Sequence, residues 1–213
     1  MKFVSVIFTV VALLLENQPG FAQGFVNLDF ESANLTGLPT GSVPAANAFP
    51  GWTVNAQYII YDDVSLSGNS ISIMDANGYP PFPIQGNYFA FLNSGNTPGM
   101  GIPVSLGQSG TIPLGTQSIT FWGNIGGLQI TFAGQSLAFS KTGSMAHYNI
   151  YAADISAFAG QTGQLLFSLP PYVNSATLDN VQFSSSSVPE PSQLALTALG
   201  AVLLGFRRRL RHR

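Results

Sequence analysis

Short apolar runs punctuated by Gly, Pro, Asn and Ser organise most of this chain. Ser118–Trp122 and Leu128–Phe132 alternate apolar and polar positions, the period-two pattern of half-buried strands. Asn124-Ile125-Gly126-Gly127 between them reads as a hairpin connection, and Ala133-Gly134-Gln135 as the start of the next turn. Further strands are predicted at Phe25–Phe30, Trp52–Val54, Tyr58–Tyr61, Ser70–Met74, Tyr88–Leu92, Ile102–Leu106, Tyr148–Tyr151, Gln164–Leu169 and Thr177–Phe183. Tyr79-Pro80-Pro81-Phe82-Pro83 excludes a central strand, because proline cannot donate to a ladder. Residues 34–50 read as a second loop. Between the two ends the nearest approach to a helix is Ala152 to Gly160, enough for one turn in a connection. Many short strands with frequent turn signals predict an all-β fold, a β-sandwich of jelly-roll type.

Both ends depart from this pattern. Residues 1–22 have the form of a secretory signal peptide. Lys2 precedes the apolar run Phe3–Leu15, and Gly20 and Ala22 are the small residues before an expected cleavage at Gln23. Residues 188–213 have three parts in order. Pro189-Glu190-Pro191 is a stiff polar strip, since each proline fixes its own φ and extends the residue before it. Leu194 to Phe206 carries no charge and suits a short transmembrane helix. Arg207, Arg208, Arg209, Arg211 and Arg213 follow and would stay cytoplasmic. The thirteen-residue run spans roughly 20 Å, less than the roughly 30 Å hydrocarbon core, so it makes a marginal anchor.

This three-part tail resembles the PEP-CTERM sorting signal of bacterial exported proteins. The resemblance implies an exosortase that recognises Pro189, Glu190 and Pro191 and removes the tail. It implies Sec export, transient residence in the inner membrane, and delivery to the cell surface or matrix of a diderm, exopolysaccharide-making bacterium.

What remains, 23–187, has the length of one domain. Its charge narrows the partners. Lys141 is its one basic residue, against Asp29, Glu31, Asp62, Asp63, Asp75, Asp154 and Asp179, a net charge of −6. Nucleic-acid binding needs clustered cations, so no nucleic-acid partner is expected, and anionic substrates are disfavoured. Without cysteine there is no disulfide framework, thiolate metal site or Cys nucleophile. A surface rich in Ser, Thr, Asn and Gln suits neutral sugars or protein contact.

Asn27–Glu31 with Phe49-Pro50-Gly51-Trp52, Asp154–Gln161, and Leu178–Phe183 are similar, in order and spacing, to the galactose-binding-like jelly rolls of carbohydrate-binding modules. That resemblance implies a structural calcium between first and last strands, with Glu31 and Asp179 as carboxylate ligands. On strand periodicity Asn27, Asp29 and Glu31 would share one solvent face. The alternative is a polar outer face with an Asx turn at Asp179-Asn180. Asp62-Asp63 is a weaker candidate, since consecutive strand side chains point apart.

Sugar binding would use aromatic platforms. Trp122, Tyr79 and Phe82 are the candidates, on a strand end and on the proline loop. Tyr88 and Tyr61 are further aromatics, and Trp52 is expected to pack in the core. No catalytic role is expected. His147 is the one histidine of the domain, and no G-x-S-x-G elbow is present. Gly134-Gln135-Ser136-Leu137-Ala138 falls one residue short of it, and Lys141-Thr142-Gly143 lacks an S-x-x-K partner. A glycosidase would need two facing carboxylates, for which Asp62, Asp63 and Asp75 are available. The leading expectation is therefore a non-catalytic surface or matrix protein that binds polysaccharide. A purely structural or adhesive protein comes second, and a glycan-active hydrolase last.

Overall fold

The structure is a computed structural model and describes residues 24–63, 68–77, 84–95, 102–172 and 174–188. The signal peptide, the sorting tail from Pro189 onward, Tyr79 and Phe82 lie outside the described residues. Among the described residues, no helix is long and apolar enough to cross a membrane.

The elements in order are β1 (Gly41–Ser42), α1 (Ala45–Ala48), β2 (Thr53–Asn55), β3 (Tyr58–Tyr61), β4 (Ser70–Met74), β5 (Phe89–Gly95), β6 (Val104–Thr111), β7 (Ser118–Gly123), β8 (Gln129–Phe132), β9 (Gln135–Ser136), β10 (Phe139–Ser144), β11 (Asn149–Asp154), β12 (Thr162–Leu169) and β13 (Asn174–Ser184). A 3-10 turn at Ser156–Phe158 occupies the connection where one helical turn was expected. The strands form an eight-stranded sheet, β1-β3-β4-β5-β13-β7-β11-β10, and a five-stranded sheet, β2-β6-β12-β8-β9. Neighbours pair antiparallel except β3 and β4, which run parallel.

Alternation explains how the sheets stack. Ile119 and Phe121 on β7, Ala90 and Leu92 on β5, and Ile71 and Ile73 on β4 point inward from the large sheet. Val104 and Leu106 on β6, Ile130 and Phe132 on β8, and Leu165, Phe167 and Leu169 on β12 meet them from the small sheet. Phe121 and Phe167 contact edge to face across the interface, with centroids 5.8 Å apart. Trp52 lies in this core as expected, 5.5 Å from Phe30 in a stacked arrangement.

Two local expectations are corrected. Residues 25–30 form turns, not a strand, with Asn27 (φ 49°) and Phe30 (φ 61°) in the left-handed region. The turn lets Phe30 swing wholly into the core, so Asn27, Asp29 and Glu31 do not share a strand face. Likewise 124–127 is not a hairpin, because β7 and β8 belong to opposite sheets and the segment crosses between them. The true two-residue turn is Ala133-Gly134, both at positive φ, which joins β8 to β9.

The edge strand β10 had no strong sequence signal. It is mostly exposed and pairs with β11 through a bulge between Lys141 and Gly143.

Candidate functional site

The entering segment meets the last strand where Val181 N–H donates to Leu28 O at 3.0 Å. Glu31 and Asp179 converge on one turn, residues 84–88. Glu31 Oε1 accepts from the backbone N–H groups of Asn87 (2.7 Å) and Tyr88 (2.9 Å), and Oε2 accepts from Asn87 Nδ2 at 2.9 Å. Asp179 Oδ2 accepts from Gln85 N–H at 2.7 Å, and Oδ1 accepts from its neighbour Asn180 N–H at 2.6 Å. Asp29 Oδ1 accepts from Glu31 N–H at 3.3 Å.

Asp179 is 0% exposed. Burial pushes its carboxyl up to about 8, with Glu31 and Asp29 adding to the rise while the Asn180 and Gln85 N–H groups oppose it. Gln85 Oε1 is buried without a hydrogen-bond partner. The buried carboxyl of Asp179 on β13 and the orphan amide oxygen of Gln85 on the turn bonded to it are oxygen donors, the kind calcium takes. The residues therefore fit the ion that the resemblance implies. Among the described residues, however, no group of three or more His, Cys, Asp or Glu side chains is close enough to ligate a metal. Carbonyl, amide and water oxygens would have to complete the shell.

A second feature lies at the end of the large sheet where β7 leaves β13. Gly123 approaches β13 so closely that a Cβ there would collide with the Thr177 carbonyl. Asn124 is then clamped: its N–H donates to Thr177 Oγ1 at 2.7 Å, and its carbonyl accepts from Thr177 N–H at 3.0 Å. Asn124 Nδ2 donates to His147 O at 2.8 Å, and Asn149 Nδ2 donates to Asn124 Oδ1 at 3.3 Å. These contacts frame an open cleft of about 450 Å³, whose lining includes Phe91, Asn124, Asn149, Tyr151, Ser175 and Thr177. None of its lining residues carries a charge. Amide, hydroxyl and aromatic groups from four separate segments meet there, a lining that sequence periodicity could not reveal.

Of the predicted platform residues, Trp122 is half-buried on the outer face of β7, stacked on Tyr148 with centroids 5.1 Å apart and planes at 13°. Neither ring lines the cleft, although Tyr148 precedes Asn149 in the chain. Tyr148 was not among the sequence candidates; its one signal was membership of a predicted strand.

The remaining acids cluster elsewhere. Asp62 follows β3 and Asp75 follows β4, side by side because these strands are parallel. Asp75 N–H donates to Asp62 Oδ1 at 2.8 Å, and the Tyr61 hydroxyl donates to Asp75 Oδ2 at 3.0 Å. Burial and a hydrogen bond between the two side chains push Asp62 up to about 6, against the lowering effect of the Asp75 N–H. Asp75 is held below its usual value: hydrogen bonds from Asp62, Asn77 and Tyr61 outweigh the opposing effect of burial. Burial and Asp75 together push Tyr61 up to about 12. His147 does not join them. It sits in the β10–β11 turn, across β5, β13 and β7. Asp63 is exposed.

Residues 187–209 match the PEP-CTERM protein-sorting motif. The chain carries this sorting signal, which implies export, membrane-associated sorting and processing by an exosortase. No curated protein matches the chain. Several solved structures are similar to it. The enzymatically active domain of tailspike protein 4 from bacteriophage CBA120 is 15% identical over 68% of this chain, with a TM-score of 0.38, and the chain spans 21% of that protein's length. TmCBM61, solved in complex with β-1,4-galactotriose, is 13% identical over 76% of this chain and 99% of its own, with a TM-score of 0.39. The K2 cleaved adhesin domain of Lys-gingipain is 14% identical over 73% of this chain and 96% of its own, with a TM-score of 0.43.

Proposed function

We propose that this exported protein is a non-catalytic surface or matrix component that holds a neutral polysaccharide in the cleft between Phe91, Asn124, Asn149, Tyr151, Ser175 and Thr177. The observation that carries the reading is the uncharged lining of amides, hydroxyls and aromatic rings. Neutral sugars present hydroxyl groups and apolar C–H faces, which such a lining matches. Ser175 is a half-buried residue of the lining, so Ser175→Phe adds bulk inside the cleft. Affinity electrophoresis of the exported chain through neutral polysaccharides should show retardation that Ser175→Phe removes. Equal mobility of both forms in every polysaccharide would defeat the proposal.

A structural calcium completes the reading. Asp179, Glu31 and Gln85 would hold it. The ion would supply positive charge to a buried carboxylate that otherwise keeps its proton. Its role would be to tie the 84–88 turn and the entering segment to β13.

A further inference from the structure

The last strand does not leave the domain freely. Gln117 N–H donates to Ser184 O at 2.8 Å, the Ser118 hydroxyl donates to Ser186 O at 2.7 Å, and Ser186 N–H donates to the Ser184 hydroxyl at 3.0 Å. The chain is fixed to the sandwich as far as Ser186, and the sorting motif begins at residue 187. Only Ser187 and Val188 separate the clamp from Pro189. Even fully extended, the path from Ser186 to Glu190 covers about 14 Å, and the path to Leu194 about 28 Å. A tail engaged in the membrane therefore draws this end of the domain down to the lipid headgroups.

The strand register shows which end this is. Ser184 lies opposite Ser118, and Ser118 opposite Asp154. The loops around Ile112 and Gly160 join them, with Gly160 N–H donating to Ile112 O at 2.9 Å and Ile155 N–H donating to Gln117 O at 3.1 Å. In 111–118 and 154–162 the one charged side chain is Asp154, whose carboxylate accepts from Ser156 N–H at 2.8 Å. The other six acids of the domain lie outside these loops; Asp62, Asp63 and Asp75 follow β3 and β4 toward the same end of the large sheet, on its far side from β7 and β11. Leu114 projects from this end with 87% exposure, more than any other large apolar residue described. A domain of net charge −6 is repelled by an anionic membrane on most of its surface. The tail leaves from this end, and these two loops, with a single acid and an apolar tip, are what the short tether presents to the lipid.

We propose that, while the sorting tail is engaged, the domain is seated on the lipid surface by the loops 112–117 and 155–161, with Leu114 in the headgroup layer. Asn149 pairs with Gly123 at the far end of the same strands, about 17 Å from the Asp154–Ser118 pair. The seat therefore directs the cleft away from the membrane. This inference rests on the sorting signal and is independent of what the cleft binds.

The chain has no cysteine, so single-cysteine variants report cleanly. Ala157→Cys and Ala146→Cys replace exposed alanines at the two ends, leaving Leu114 in place. Each full chain, carrying a fluorophore, is reconstituted into phosphatidylethanolamine–phosphatidylglycerol vesicles containing headgroup-nitroxide lipid. The label at 157 should lose most of its emission and the label at 146 should keep it. Full emission at 157, or equal loss at both positions, would overturn the lipid seat, the former in favour of a protein partner at this end. A spacer of about twelve Gly and Ser residues between Ser186 and Ser187, adding roughly 20 Å of reach, should restore emission at 157. Continued quenching there would refute the short tether as the cause.

Discussion

Gln85 closes over Asp179: its backbone N–H donates to the carboxylate at 2.7 Å, and the acid beneath has no exposure to solvent. In the unfolded chain this carboxyl titrates near 4, whereas in the fold it titrates near 8. Between those values the folded state holds a proton that the unfolded state has released. The contribution to stability is thus complete below about pH 4 and is lost as pH rises through 8. In chelator, the melting temperature should fall between pH 5 and 8. Calcium should reverse the loss at pH 8, because it favours the carboxylate, and Asp179→Asn should abolish both effects. Identical melting curves with and without calcium at pH 8 would rule out the ion.

A second titration belongs to the Asp62–Asp75 pair. Asp62, pushed up to about 6, stabilises the fold below its ordinary value and loses that contribution as pH rises through 6. Asp75 is depressed, so its contribution is present above its ordinary value and disappears in stronger acid. Asp62→Asn should flatten the stability profile between about pH 4 and 6 and leave the loss in stronger acid in place. Urea denaturation across this range separates the two.

Phe30 reaches the core through a left-handed turn, packing on Trp52 and, edge-on at 6.0 Å, on Phe49. Phe30→Ala should cost about 3–5 kcal/mol, read from urea midpoints at unchanged slope. A loss below about 1 kcal/mol would mean that the entering segment is not part of the cooperative unit.

Gly123, next to the cleft residue Asn124, lies too close to the Thr177 carbonyl for a side chain. Gly123→Ala should destabilise by about 1–3 kcal/mol, because a backbone must shift, and should abolish polysaccharide retention with it. Retention at wild-type strength in a destabilised Gly123→Ala protein would separate the cleft from binding.

The strands most legible in the sequence were those bounded on both sides by turn residues. Tyr58–Tyr61 and Ser70–Met74 form β3 and β4 with those limits. Phe25–Phe30 had the same look, but Phe30 is buried by a turn instead of a strand, because two residues accept positive φ. The turn chemistry of 124–127 was visible, but its destination was not: no local signal says whether two strands share a sheet. β10 was hidden by its polar edge composition. Glu31 and Asp179 were reached through a resemblance. Their partners Gln85 and Asn87 sit on a turn with no pattern of its own. The cleft draws on residues from Phe91 to Thr177, and nothing local marks any of them.

The borders of the two sheets have a consequence for an exported protein. β1 and β9 are two residues long and β2 is three. β10, the one longer border strand, is interrupted by its bulge and carries Lys141 exposed beside it. Short borders, a broken ladder and a charge deny an incoming strand the flat, unpaired row it would need to extend a sheet. Copies can therefore meet side by side without zipping into cross-β fibres, a hazard that a β-rich, weakly charged chain would otherwise face.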